Sequence, residues 1–363
     1  MTFAQLGTYD NFNRYASRGK PAIGSGAIYD ALMTASTDEV DTSYPLIAKK
    51  IRYASDYSWM EVDLNSDAVF HDGVKIKPSD VEFTFQKFMT EGVPQFRAYY
   101  KEVKSVKAVD DDTVRIDMES PNREKMFSIV QGLPVLPAHF WKDKDFSEPL
   151  DIPPLGSSAY KITDYKLGQS ITYSRVEDYW AKDLPVNVGR HNFDKEIYDY
   201  YRDETVMLEA FKAGEYDFRQ ETSAKFWATS YEGVNFDKGF IKKEEIPHEK
   251  PEGMLGFVFN IQQPVFSDSR VREALAYALD FQWMNKNMFY NQYSRTRSYF
   301  QNTDYEATAL PDDAELKVLE PIKDKVPARV FTEVYEPNET DAQAVSVRKC
   351  DKHSGCSNKR VGN

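Results

Sequence analysis

Residues 197–218 read IYDYYRDETVMLEAFKAGEYDF. Ile197 to Tyr201 is rich in aromatic side chains and predicts a strand. Thr205 to Ala213 predicts a helix that Gly214 stops, because glycine takes the left-handed conformation of a helix end at little cost. Tyr216-Asp217-Phe218 predicts a second strand. Strand, helix and strand in succession make a βαβ unit, so the chain is expected to be an α/β protein.

Upstream, Ser58 to Leu64 alternates. Met60, Val62 and Leu64 fall on one face and Trp59, Glu61 and Asp63 on the other, which is the period of a half-buried strand. Asp72-Gly73 then predicts a turn. Ser79-x-x-Glu82 predicts a capping box ahead of a helix whose Val81, Phe85 and Phe88 share one face. Val103 to Val109 and Thr113 to Met118 alternate on either side of Asp110-Asp111-Asp112. A hairpin with a solvated acidic turn is expected there, since a calcium loop needs spaced ligands and a glycine. Downstream, Ser267 or Asp268 caps a helix in which Val271, Ala274, Leu275, Ala278 and Leu279 form an apolar stripe that another element must cover.

The 363 residues suffice for two or three domains. Hydrophobic residues at 41% and charged residues at 29% exclude a wholly disordered or collagen-like chain. Basic side chains number 46 against 58 acidic ones, a net charge of −12. That argues against nucleic acid as a partner, since nucleic-acid binders neutralise phosphates with Lys and Arg. No run approaches the ~18 apolar residues of a membrane span. Aromatic residues reach 14%, with 23 Tyr, 23 Phe and 5 Trp, an excess that suits both a large core and the walls of a binding cleft.

Catalytic signatures are missing from the sequence. Neither a dinucleotide-type GxGxxG nor a P-loop occurs, and His248-Glu249 is followed by Glu252 where a zinc-protease helix needs histidine. Gly24-Ser25-Gly26 lacks the spacing of a nucleophile elbow. His71, His139 and His191 are isolated in sequence and read as structural. No cofactor is expected. Among so many carboxylates a pair for acid–base work could still assemble in space, so a hydrolase stands as the alternative to a binding protein.

Five motifs then occur in order: Gly7–Tyr15 (GTYDNFNRY), Phe70–Gly73 (FHDG) with Pro78–Phe85 (PSDVEFTF), Tyr173–Ala181 (YSRVEDYWA), Phe211–Asp217 (FKAGEYD), and Phe259–Gln262 (FNIQ) with Pro264–Ala274 (PVFSDSRVREA). Together they resemble the extracellular solute-binding proteins of family 5, the receptors of peptide and nickel ABC importers. Within that family the chain is most similar to the YejA-type oligopeptide and microcin C binding proteins. Leu155-Gly156-Ser157-Ser158-Ala159-Tyr160 departs from the family pattern, which has Gly-Pro before the tyrosine.

The resemblance implies a two-lobed, type II periplasmic-binding-protein-like fold with an inserted α+β domain. Lobe I would comprise 1–27 and 155–254, the inserted domain II 28–154, and the beginning of an incomplete lobe III 255–340. A peptide would be enclosed between lobes by hinge closure and delivered to an ABC permease of the inner membrane. The receptor is expected to be periplasmic and monomeric. Tyr15, Arg18, Gly19 and Lys20 would line the cleft from the loop after the first strand, and Phe257 and Asn260 from the start of lobe III. Backbone groups there would pair with an extended peptide while aromatic walls take varied side chains. Family members are usually much longer and the acidic residue that pairs with the peptide amino terminus in relatives lies in the part missing here, so the chain is expected to be a truncated, binding-impaired fragment.

Both ends of the sequence carry expectations of their own. Met1-Thr2-Phe3-Ala4-Gln5 lacks the basic and apolar regions of a signal peptide, so Met1 reads as an internal start or a fragment boundary. Residues 341–363 hold five basic and two acidic residues, both cysteines and no aromatic ring. Cys350, His353 and Cys356 lack the fourth ligand and the paired spacing of a zinc site, and the segment reads as an aberrant, disordered tail. In a permitted coding of 341–362, one base inserted after the Asp341 codon restores an amphipathic helix ending in Gly-Trp, as relatives have at that point. A frameshift product is therefore expected.

Overall fold

A computed structural model describes residues 1–36, 39, 42–248 and 250–337. The tail expected at 341–363, with Cys350 and Cys356, lies outside the described residues. The chain divides into two compact units, Met1–Arg219 and Gln220–Asn363.

The first unit contains strands β1 (Thr2–Leu6), β2 (Met33–Ala35), β3 (Ser43–Pro45), β4 (Ala48–Tyr53), β5 (Trp59–Leu64), β6 (Val103–Ala108), β7 (Thr113–Met118), β8 (Tyr160–Lys166), β9 (Ser170–Arg175) and β10 (Lys195–Tyr201). Its helices are α1 (Pro78–Thr90), α2 (Pro94–Tyr99), α3 (Arg123–Gly132), α4 (Ala138–Trp141) and α5 (Glu204–Ala213). One sheet has the order β1-β10-β9-β8, a second β4-β5-β7-β6, and β2 pairs with β3. β1 is parallel to β10, with Thr2 opposite Ile197 and Leu6 opposite Tyr201. The β10–β9 and β9–β8 pairs are antiparallel.

The βαβ unit is present in altered form. α5 follows β10 and ends on Gly214 at φ 84°. The expected strand at Tyr216–Phe218 shrinks to a single parallel bridge from Phe218 to Phe3. The Asp217 N–H donates to the Thr2 carbonyl at 2.9 Å, and Asp217 Oδ2 accepts the Thr2 N–H at 2.6 Å. A side-chain oxygen thus takes the donor that a ladder carbonyl would have received, and the pairing stops there. β1 lies between β10 and residue 218.

β5 follows the expected alternation, with Met60, Val62 and Leu64 buried and the intervening residues half-buried. α1 begins earlier than the capping box predicts. Pro78 opens it, Asp80 Oδ2 accepts the Lys77 N–H at 2.9 Å, and Glu82 instead accepts the Ala108 N–H at 3.1 Å. Proline at the first helical position has φ preset and no N–H to satisfy, which favours a start at Pro78 over one after Ser79. Val81, Phe85 and Phe88 are buried as the spacing requires. In the β6–β7 hairpin, Asp110 Oδ1 accepts the N–H groups of Asp112 and Thr113 at 2.9 and 2.7 Å, so the acidic run is a self-bonded turn. One continuous core joins residues of both large sheets, from Ile171 and Tyr173 to Val62 and Ile116.

In the second unit lie α6 (Ala224–Thr229), α7 (Val234–Asp237), α8 (Pro264–Ser267), α9 (Ser269–Ala278), α10 (Phe281–Met288) and α11 (Asp313–Leu319). Asp268 caps α9, accepting the Arg270 N–H at 2.9 Å. None of the α9 stripe is buried, and Leu275 is 44% exposed. Among the described residues after Ala224, none is buried.

Candidate functional site

β1 ends at Gly7, φ 108°, and the chain enters a loop that runs to Ala22. Two asparagines inside it are buried, Asn11 at 0% and Asn13 at 1% exposure. Asn11 Oδ1 accepts the Asn13 N–H and Asn13 Oδ1 accepts the Tyr15 N–H, both at 2.9 Å. Asn13 Nδ2 donates to the carbonyls of Phe146 and Glu148, again at 2.9 Å each. A side-chain amide brings donor and acceptor together, and that satisfies irregular buried backbone which has no sheet or helix partner.

The two arms of the loop are closed by Asp10. Its Oδ1 accepts the Lys20 N–H at 2.7 Å and Asn11 Nδ2 at 2.8 Å, while its own N–H donates to the Lys20 carbonyl at 2.9 Å. The Asn11 amide first, then the Lys20 N–H, hold the Asp10 carboxyl below the ordinary carboxylate range. Gly19 sits at φ 86°, and a Cβ there would stand 2.6 Å from Asn11 Nδ2 and 2.8 Å from Asp10 Oδ1. Only glycine fits that turn without moving the network behind it.

The loop presents Arg18, Gly19 and Lys20 at its exposed tip. Arg18 donates through Nε to Glu148 Oε2 at 3.0 Å, and a second guanidinium nitrogen reaches the same oxygen, yet the side chain stays 72% exposed. Tyr15 behaves differently from the expectation that it lines a cleft. It is 4% exposed, stacked on Phe146 at 5.3 Å and edge-on to Phe88 at 4.9 Å and Phe96 at 5.6 Å. Burial pushes its hydroxyl pKa well up. Its role is to anchor the loop in the core.

Phe257 and Asn260 belong to the second unit. Phe257 is 85% exposed, and Asn260 Oδ1 accepts the Gln262 N–H at 3.0 Å.

Two features of the first unit escape a reading of the sequence. Asp30 is buried and accepts from Tyr179 Oη and Trp180 Nε1, each at 3.1 Å. Burial pushes its pKa up to about 7, against the pull of those two hydrogen bonds. Beside it, a pocket of about 290 Å³ opens between the end of β9 and the following loop, with Arg175, Lys182 and Arg190 among its lining residues. The turn-rich run after Arg175 is the only trace of it in the sequence. Among the described residues, no group of three or more His, Cys, Asp and Glu side chains is placed to hold a metal.

Residues 42–338 match the family described as bacterial extracellular solute-binding proteins, family 5 middle region. The chain is 56% identical to the uncharacterized protein YejA of Escherichia coli K12 over 93% of its own length and 56% of that protein's. It is 35% identical to a probable peptide-binding protein YejA of Agrobacterium fabrum, over 92% of this chain and 56% of the relative. The chain thus spans little more than half the length of these curated relatives. Its fold is like that of a periplasmic oligopeptide-binding protein of an ABC transporter from Thermotoga maritima, with TM-score 0.64, 18% identity, and coverage of 81% of this chain and 54% of that one. With a family match over most of its length and a fold of the periplasmic-binding-protein type, the chain belongs to the bacterial extracellular solute-binding proteins of family 5.

Proposed function

We propose that this chain captures oligopeptides for an ABC importer, with Arg18, Gly19 and Lys20 as peptide contacts in the first unit and Phe257 and Asn260 in the second. The observation that carries the reading is the tip of the loop after β1. It offers two cationic side chains around a glycine, on a base pinned by buried Asn11 and Asn13. A peptide docking on a backbone already fixed in place loses less ordering entropy than one docking on a mobile loop. Tyr15 contributes from behind, by holding the loop.

As an extracellular solute-binding protein the chain is periplasmic and is not an enzyme. An ABC permease is the proposed partner, and a monomer the proposed state. We keep the division into lobe I (1–27 and 155–254), inserted domain (28–154) and start of lobe III (255–340) as part of the proposal. It is supported by the sheets: one draws on 2–6 and 160–201, the other on 48–118 alone. Microcin C-like peptides are the finer proposal, resting on the resemblance of the sequence motifs to YejA-type binding proteins.

Calorimetric titration with mixed short peptides, run beside chromatography of the same mixtures, tests the reading. Binding with no new product is expected, and Arg18→Ala with Lys20→Ala should weaken it roughly tenfold, or ~1.4 kcal/mol. Unchanged affinity removes the tip from the site. Cleaved peptide would favour a hydrolase instead.

A further inference from the structure

The pocket after β9 belongs wholly to the first unit, and none of its lining residues comes from the loop at 15–20. Its wall is a chain of tight turns. The N–H groups of Tyr179, Lys182, Leu184, Asn187 and Arg190 donate to the carbonyls of Val176, Tyr179, Ala181, Leu184 and Asn187 at 2.9 to 3.3 Å. Beneath the turns, Tyr179 and Ala181 pack with Ala159 and Leu46 as a small core of their own. The cavity is therefore preformed.

Its charge stands against the chain's net −12. Of its three cations, Arg175 is committed to Asp194, whereas among the described residues Lys182 and Arg190 are in no ion pair. Glu177 is the one carboxylate in the lining, it is exposed, and it too is in no ion pair among the described residues. Asn187 faces the pocket with an amide held by the Ala181 carbonyl at 2.9 Å. His191 also lines it, at φ 56°, a left-handed backbone uncommon outside glycine. Burial first, and the neighbouring Arg190 second, hold its imidazole below the ordinary range.

We propose that this pocket binds a small organic anion, with its carboxylate or phosphate group on Lys182 and Arg190 and its apolar part against Val176 and Tyr179. The volume of about 290 Å³ sits at the small end of ligand pockets and suits a metabolite rather than a peptide. A guanidinium and an ammonium in one pocket lining supply a planar fork and a point charge, both of which suit an oxyanion.

Nitrogen-15 correlation spectra of the 363-residue chain, titrated separately with succinate and with inorganic phosphate, test this and separate carboxylate from phosphate recognition. Saturable shifts confined to amides of residues 175–191 are expected with at least one probe. Lys182→Ala with Arg190→Ala, both at exposed positions, should weaken the binding at least tenfold, while Lys225→Ala with Lys238→Ala should leave it unchanged. Shifts with neither probe, shifts spread over the surface, or equal loss in both double variants would overturn the proposal. Peptide binding is not part of the readout, so failure of the peptide reading leaves this test intact.

Discussion

Tyr179 Oη donates to Asp30 Oδ1 across 3.1 Å, joining residues 149 positions apart in the sequence inside a buried site. Trp180 Nε1 supplies the second donor at 3.1 Å, yet burial outweighs both hydrogen bonds in setting the proton affinity of that carboxyl. The folded protein therefore holds the Asp30 proton more tightly than an unfolded chain does, with a pKa pushed up to about 7. An unfolded aspartate titrates near ~3.9. Below that value both states are protonated and the contribution is complete. As pH rises from about 4 to about 7 the unfolded state loses its proton first, so stability falls across that window, by up to ~1.4 kcal/mol per pH unit. Urea unfolding at a series of pH values should show the decline, and Asp30→Asn, which keeps an acceptor and a donor in place, should flatten it. An unchanged slope in the variant would refute the assignment.

Asn13→Ala removes one donor to a buried carbonyl, one to a half-buried carbonyl, and the acceptor of the Tyr15 N–H. Unpaired buried polar groups cost ~1–3 kcal/mol each when they stay dry. A loss on the order of 3 kcal/mol is expected in thermal or urea unfolding of the first unit, together with faster amide exchange at residues 15–20.

Phe88 is fully buried among Tyr15, Phe96 and Phe146. Phe88→Ala should cost ~3–5 kcal/mol through lost burial and the cavity left behind. Near-ultraviolet circular dichroism should weaken with it, because the same rings hold Tyr15.

Ser158-Ala159 stand where the family pattern has Gly-Pro before Tyr160, and the backbone from Gly156 shows what this chain does there. The N–H groups of Ser157 and Ser158 both donate to the Ile28 carbonyl, at 2.8 and 2.9 Å, and Asp30 N–H donates to Ser157 Oγ at 2.9 Å. A Cβ on Gly156 would stand 2.2 Å from the Ile28 oxygen. Gly156→Ala should therefore cost at least ~2 kcal/mol, measured as a lower denaturation midpoint. A neutral result would mean that this crossing is looser than its hydrogen bonds imply.

Hydrogen exchange should separate the two units. Strands β5, β7 and β9 have fully buried side chains, whereas no described residue after Ala224 is buried. Local opening is easiest where few apolar contacts must break. Slow exchange in the first unit and fast exchange over 250–337 is the expected pattern, and comparable protection in both would contradict it.

Local rules carried much of the fold. The alternation of β5, the apolar face of α1, the Asp110 turn and the Gly214 stop were all legible, because each depends on neighbours within a few positions. The start of α1 was displaced because Pro78 opens the helix ahead of Ser79, with Asp80 accepting the Lys77 and Ala138 N–H groups at 2.9 and 3.0 Å. Tyr216–Phe218 lost its strand to a side chain that took the place of a carbonyl. In the candidate site, Arg18, Gly19 and Lys20 read correctly as a loop, but Tyr15 did not betray its burial, since Phe88 and Phe146 close over it from far along the chain. The pocket after β9 was invisible for a related reason: its cations follow no helical or strand period, and only the folded turns bring them round one space.

The position of β1 sets the order in which the first unit can assemble. Its partners, β10 on one side and Phe218 on the other, are made almost last within that unit. At ~5–20 residues per second of synthesis, β1 waits on the order of ten to forty seconds for them, while the β4-β5-β7-β6 sheet has its whole sequence much sooner. During that interval residues 2–6 are an unpaired strand with aromatic Phe3 near its start, the kind of segment that chaperones shield. The fold thus leaves residues 2–6 as a sticky segment of the nascent chain until the residues of β10 have been made.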